Sequence, residues 1–264
     1  MKQAIAAISM AGAAGAALVT GVAIQSPNFT GSDVPAIELW EASDPDTEVC
    51  LRSNLQFFEN ARRGCSKKGD IAGWSGAPVL DNRGAAVLLS LSHPTDFTRD
   101  DQIIRTCAGF TRFSEAGWYA ASTSEMRREA YFQRACGALT YLLAAQKPEN
   151  SYFERGKASA EDIQSFSKGP PFRIAPRAAL PAESDPATVS EGEDGIWKVA
   201  AGDQQAQVQE IAHADFNDDG LGDILAYVAL GVRGASARAG QIGLLEKKSE
   251  TGAVRFREKV QDDG

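Results

Sequence analysis

Asp215, Asn217, Asp219 and Asp223 stand at relative positions 1, 3, 5 and 9 of one short stretch, with Gly220 at position 6. Oxygen-bearing side chains at that spacing suit a hard divalent cation. A calcium ion takes about six to eight oxygens at about 2.3–2.6 Å, and a tight turn delivers them from alternate residues, with a carbonyl at position 7 and a glycine at the bend. The expected ligands are Asp215, Asn217, Asp219, the backbone oxygen of Leu221, and Asp223, and the expected cofactor is Ca2+. Asp218 is expected to face solvent, and His213 to sit on a strand rather than beside the ion. The competing reading is an acidic surface turn, because Asp, Asn and Gly are also the ordinary turn formers.

Position 12, where a helical EF-hand carries a bidentate glutamate, is Ala226, so an EF-hand is not expected. The residues after Asp223, Ile224-Leu225-Ala226-Tyr227-Val228-Ala229-Leu230, are apolar and partly β-branched, as in a buried strand. A D-x-N-x-D-G-x-x-D loop followed by such a strand resembles the calcium hairpin of FG-GAP and VCBS-type repeats, over residues 207–232 only. The resemblance implies a loop that braces a β-hairpin by binding metal and performs no chemistry. A closed propeller needs about 4–8 blades, and one loop within about seventy strand-like residues does not supply them.

A second segment, Gly73-Trp74-Ser75-Gly76-Ala77-Pro78, resembles the nucleophile segment of trypsin-like serine proteases, which would make Ser75 a nucleophile. In that family the histidine and aspartate precede the serine, whereas no histidine precedes residue 75 here and His93 lies downstream. Without a base to take its proton, a serine hydroxyl is a weak nucleophile. Ser75 and His93 are therefore the weak candidates of an alternative reading, a cell-envelope hydrolase, that a hydrogen bond between them would support. A third reading is an inhibitor of an envelope enzyme. Trp40, Trp74, Trp118 and Trp197 could line a carbohydrate platform, but their scatter along the chain favours core packing.

Cys50, Cys65, Cys107 and Cys136 are an even set suited to two disulfides. Of the three connectivities, Cys50–Cys65 with Cys107–Cys136 is favoured, since each closes a short local loop that contributes about 3–4 kcal/mol in the chain-entropy model. A zinc site is disfavoured because there is no C-x-x-C and only two histidines.

Residues 1–24, with Lys2 before an Ala- and Gly-rich uncharged stretch, read as a secretory signal peptide, with an uncleaved N-terminal anchor as the alternative. Export to the periplasm or outside the cell agrees with paired cysteines. A formal net charge of −8, more negative once Lys2 is removed, disfavours a phosphate-backbone partner, so no nucleic acid is expected. The expected partners are another envelope protein or a glycan, and no further stretch is apolar enough to span a bilayer.

The elements that must position these residues are read as an α+β fold. An extended lead-in covers 25–46, and a disulfide-stapled, mainly helical domain covers 47–167. Its helices are expected over about 47–61, 99–115, 123–147 and 159–166, with a strand near 85–91 and a capping box at Ser122 and Glu125. A Pro-rich linker follows at 168–195. A small antiparallel β domain with the calcium hairpin ends the chain at 196–264. The function expected is non-enzymatic: an exported calcium-binding module of FG-GAP/VCBS-like type.

Overall fold

A computed structural model of the protein describes residue 42 and residues 44–166, 187–192, 195–201, 204–232 and 238–258. The expected leader, the lead-in up to residue 41 and the linker from 168 to 186 lie outside the described residues. The first half contains β1 (Glu48–Leu51), β2 (Gly64–Lys67), α1 (Lys68–Gly73), β3 (Leu89–Leu91), β4 (Gln102–Ile104), α2 (Cys107–Glu115), α3 (Thr123–Ala144) and α4 (Ala160–Phe166). Among the described residues of the second half the elements are all strands: β5 (Thr188–Glu191), β6 (Ile196–Ala201), β7 (Gln204–Ala214), β8 (Asp223–Val232), β9 (Arg238–Glu246) and β10 (Arg255–Glu258).

Eight of these strands form one antiparallel sheet that runs β10-β9-β8-β7 and then divides. Beyond β7 the edge is shared: residues 204–209 pair with β6, which β5 extends, and Ala212 pairs with Leu51 of β1, which β2 extends. An irregularity in β7 between Glu210 and Ala212 makes this division possible. An extra residue bends a strand and raises its local twist, so two partners can meet one edge at different places.

The sheet is buried on both faces, which explains the nearly continuous apolar character of β8. Ile224, Ala226, Val228 and Leu230 point into one core with Phe153, Ile163, Phe166, Trp197 and Val208. Leu225 points the other way, into a core with Val49, Leu51, Phe132, Leu139, Ile211 and Leu244. Helices α1, α2 and α3 cover that second face and α4 the first.

A mainly helical N-terminal domain is therefore not what forms, and the chain is predominantly β. The expected helix over 47–61 fails first. Glu48-Val49-Cys50-Leu51 alternates exposed and buried, a period of two, and β1 pairs with both β2 and β7. Apolar residues at three- and four-residue spacing further on, Leu55 and Phe58, are core residues of an irregular loop. The division into two domains also fails, because one core joins Val49 and Phe132 to Ile211 and Leu244. Within the expected linker, Thr188–Glu191 is a strand of the sheet. The strand expected near 85–91 is confined to Leu89–Leu91, paired with Gln102–Ile104 where a helix was expected.

Other expectations hold locally. Ser122 caps α3 by accepting the Glu125 N–H at 3.2 Å. The helix expected over 99–115 starts only at Cys107, where Thr106 caps it by accepting the Gly109 N–H at 3.1 Å. Glu125 does not close a capping box; its carboxylate accepts the Ser90 N–H at 2.8 Å and pairs with Arg128. The disulfides are Cys50–Cys65, bridging β1 to β2, and Cys107–Cys136, bridging α2 to α3. No described helix is long and apolar enough to cross a membrane. Trp74, Trp118 and Trp197 are buried core residues rather than an exposed platform, and Trp40 lies outside the described residues.

Candidate metal centre

The β7–β8 connection places the acidic loop at one end of the sheet. Asp215 follows the last residue of β7, and Asp223 opens β8 opposite Ala214. Between them the backbone turns through left-handed conformations at Asp218 (φ 59°) and Gly220 (φ 79°). Aspartate tolerates that region better than most residues and glycine adopts it without steric cost.

Asp215 organises the turn. Its Oδ1 accepts the N–H groups of Asn217 and Asp219 at 3.2 and 3.3 Å, and its Oδ2 accepts that of Gly220 at 2.8 Å. Asn217 Oδ1 accepts the Asp219 N–H at 3.1 Å, and Asp219 Oδ1 accepts the Leu221 N–H at 2.9 Å. The Leu221 carbonyl accepts no hydrogen bond from the described residues. Asp218 is exposed, and its carboxylate accepts the Gln146 side-chain amide at 3.0 Å.

A strap from the end of α3 fixes the loop from outside. Gln146 and Asp215 exchange both backbone hydrogen bonds, at 2.7 and 3.0 Å. Glu149 and Asn150 donate to the Gly220 carbonyl, and Gly222 donates to that of Asn150. His213 seals the inner side: its Nε2 is hydrogen-bonded to Ser151 Oγ at 3.1 Å, and its ring occupies a slot between Gly156 and Gly222. Side chains on either glycine would run into that ring, with a Cβ at 2.7 Å from it at Gly156 and 2.5 Å at Gly222.

One carboxylate oxygen each from Asp215, Asp219 and Asp223 lies within 4.8 Å of the others. Asp223 is 1 % exposed, and its Oδ2 is buried with no hydrogen-bond partner. Burial, reinforced by the negative charges of Glu246, Asp219 and Asp215, pushes its carboxyl up to about 7. Asp219 behaves oppositely. Burial works against its charge, but the Lys248 ammonium and the Leu221 N–H outweigh that and hold it below the usual carboxylate range. A carboxylate that is buried, unpartnered and surrounded by its own sign is costly unless a proton or a cation joins it.

Sequence spacing missed Glu246. It sits at the end of β9, is buried, and accepts the Asn217 side-chain amide at 3.0 Å and Arg257 at 3.2 Å. Nothing in the loop pattern points to it, because it reaches the loop only through β8–β9 pairing. The arrangement can hold a small divalent cation: three convergent carboxylates, a free carbonyl on the loop and a fourth carboxylate adjoining.

The alternative pair finds no geometry. Ser75 is buried in a single 3₁₀ turn, Trp74–Gly76, and no hydrogen bond joins it to His93. Nδ1 of His93 accepts the backbone N–H groups of Thr95 and Asp96 at 3.3 and 3.0 Å, and its ring meets Trp118 edge-on at 5.0 Å. His93 serves as a turn acceptor and core residue. Comparison with protein-family models, curated proteins and solved structures returned no match.

Proposed function

We propose that this protein is an exported, non-enzymatic calcium-binding module, of FG-GAP/VCBS-like type, in which the ion locks the β7–β8 turn. The observation that carries the reading is Asp223 Oδ2, buried and without a partner beside Asp215 and Asp219. Asp215, Asp219 and Asp223 would hold the ion with Asn217 Oδ1 and the Leu221 carbonyl. Of these, Asn217 has to give up its bond to the Asp219 N–H or share it. The role of the ion is structural: it offsets like charges that repel at the end of three adjacent strands. Two disulfides agree with an oxidising compartment, the periplasm or the exterior.

Extracellular calcium modules bind at about 10⁻⁴–10⁻³ M, so millimolar calcium should raise the melting temperature above that in chelator by mass action. The rise should vanish in Asp223→Asn. An equal rise in that variant, or none in the native chain, would sink the reading.

A further inference from the structure

The two disulfides differ in what surrounds them. Cys107 and Cys136 are 0 % and 6 % exposed, packed in the core between α2 and α3. Cys50 and Cys65 are both exposed, and they stand directly opposite each other in the pairing of β1 with β2. Exchange requires a thiolate to reach one sulfur of a disulfide, so access separates a labile bridge from an inert one. One bridge of this chain is open to attack and the other is closed.

Both members of the outer bridge can be approached. Cys65 lies on the last strand at that side of the sheet, and a Cβ added at its neighbour Gly64 would meet nothing within 4 Å. Cys50 lines a cleft of about 610 Å³ together with Arg52, Arg63 and His213.

The fold also permits the bond to open without wider unfolding. Strand β1 is tied to β7 independently of the sulfurs, by the Arg52 N–H donating to the Ile211 carbonyl at 2.7 Å and the Ser53 hydroxyl donating to the Glu210 carbonyl at 2.8 Å. The connection from β1 to β2 is anchored by Leu55, Phe57, Phe58 and Ala61, all in the core. Local opening of this kind draws on little of the global stability.

We infer that Cys50–Cys65 is a thiol–disulfide exchange site, opened by an external dithiol and closed again by a disulfide oxidant, whereas Cys107–Cys136 is a permanent staple. A thiolate of the dithiol attacks one of the two sulfurs, a mixed disulfide forms as the Cys50–Cys65 bond breaks, and the other cysteine leaves as a thiolate that takes a proton from water. The second thiol of the reductant, as its thiolate, then displaces the remaining protein sulfur, which is protonated in turn. The protein pair gains two electrons and two protons, and the dithiol loses them as it becomes a disulfide. The site is separate from the acidic loop and independent of it.

Treatment of the intact, folded protein with dithiothreitol, quenched at intervals with N-ethylmaleimide and followed by peptide mass mapping, tests this. Cys50 and Cys65 should be labelled together, at least about tenfold faster than Cys107 and Cys136. The rate should rise with reductant concentration and stay unchanged in urea below the unfolding transition, as for attack on the native state. A cooperative melting transition should survive with Cys107–Cys136 still closed, and glutathione disulfide should restore the outer bridge with loss of both thiols. Labelling of all four cysteines at one rate, prior labelling of Cys107 and Cys136, a rate that grows with sub-denaturing urea, or no opening of the folded protein would overturn the assignment.

Discussion

Asn217 donates its side-chain amide to Glu246 across 3.0 Å, which ties the turn between β7 and β8 to the end of the neighbouring strand β9. The loop's charge is therefore not set by the loop alone. Glu246 adds a fourth carboxylate to Asp215, Asp219 and Asp223, while Lys248 and Arg257 return two positive charges through Asp219 and Glu246.

Glu246→Gln should shrink the calcium response without removing it. The amide keeps an oxygen for Asn217 but removes a charge that opposes ionisation of Asp223. Melting curves with and without calcium should show a smaller calcium-induced rise than in the native chain, together with no loss of stability in chelator. An undiminished rise would place Glu246 outside the field that the ion feels.

In chelator, stability should depend on pH with the sign of a raised carboxyl. Asp223 ordinarily titrates near 3.8 and in the fold near 7, so the folded state holds its proton more tightly than the unfolded one. That contribution is complete below about 4 and is lost as pH rises through about 7. Asp81 and Asp96, held low by hydrogen bonds from neighbouring backbone and side chains, act with the opposite sign, which makes the difference between native protein and Asp223→Asn the diagnostic quantity. The melting temperature of the native protein should fall relative to the variant between pH 4 and 7. Parallel curves would mean that Asp223 is not raised.

Gly156→Ala should destabilise by about 1–3 kcal/mol, because φ there is +67° and the new Cβ would meet the His213 ring at 2.7 Å. Gly137→Ala makes the contrast. It lies inside α3 with nothing within 4 Å of the added atom, and helix propensity should make it stabilising by about 0.4–1 kcal/mol. Urea unfolding of the two variants measures both signs.

A break in the chain between residues 168 and 186, introduced through an engineered protease site, should leave the two fragments together. Both disulfides lie before the cut, so only packing and sheet pairing connect the pieces. That packing includes Leu51 paired with Ala212, and Leu139 sharing a core with Leu244. Co-elution in size-exclusion chromatography without denaturant is the expected result. Separation into two stable species would restore the two-domain division.

What the sequence determined by itself was local. The acidic spacing from Asp215 to Asp223, the cap at Ser122, the cysteine pairing and the apolar run of β8 all depend on residues close along the chain, where spacing translates directly into geometry. Tertiary structure decided the rest. Residues 48–51 became a strand because two partner edges were available, one of them more than 150 residues away at β7, and local periodicity cannot weigh a partner that distant. Ser75 and His93 stayed apart for a related reason: proximity in sequence does not aim two side chains at each other, and His93 turned to its own backbone. Glu246 and the strap at Gln146–Asn150 meet the loop only because β9 and the end of α3 are brought to the same end of the sheet. The charge that Asp223 feels, and hence its poise near neutral pH, was fixed by that convergence of separate segments and by burial, neither of which a linear pattern records.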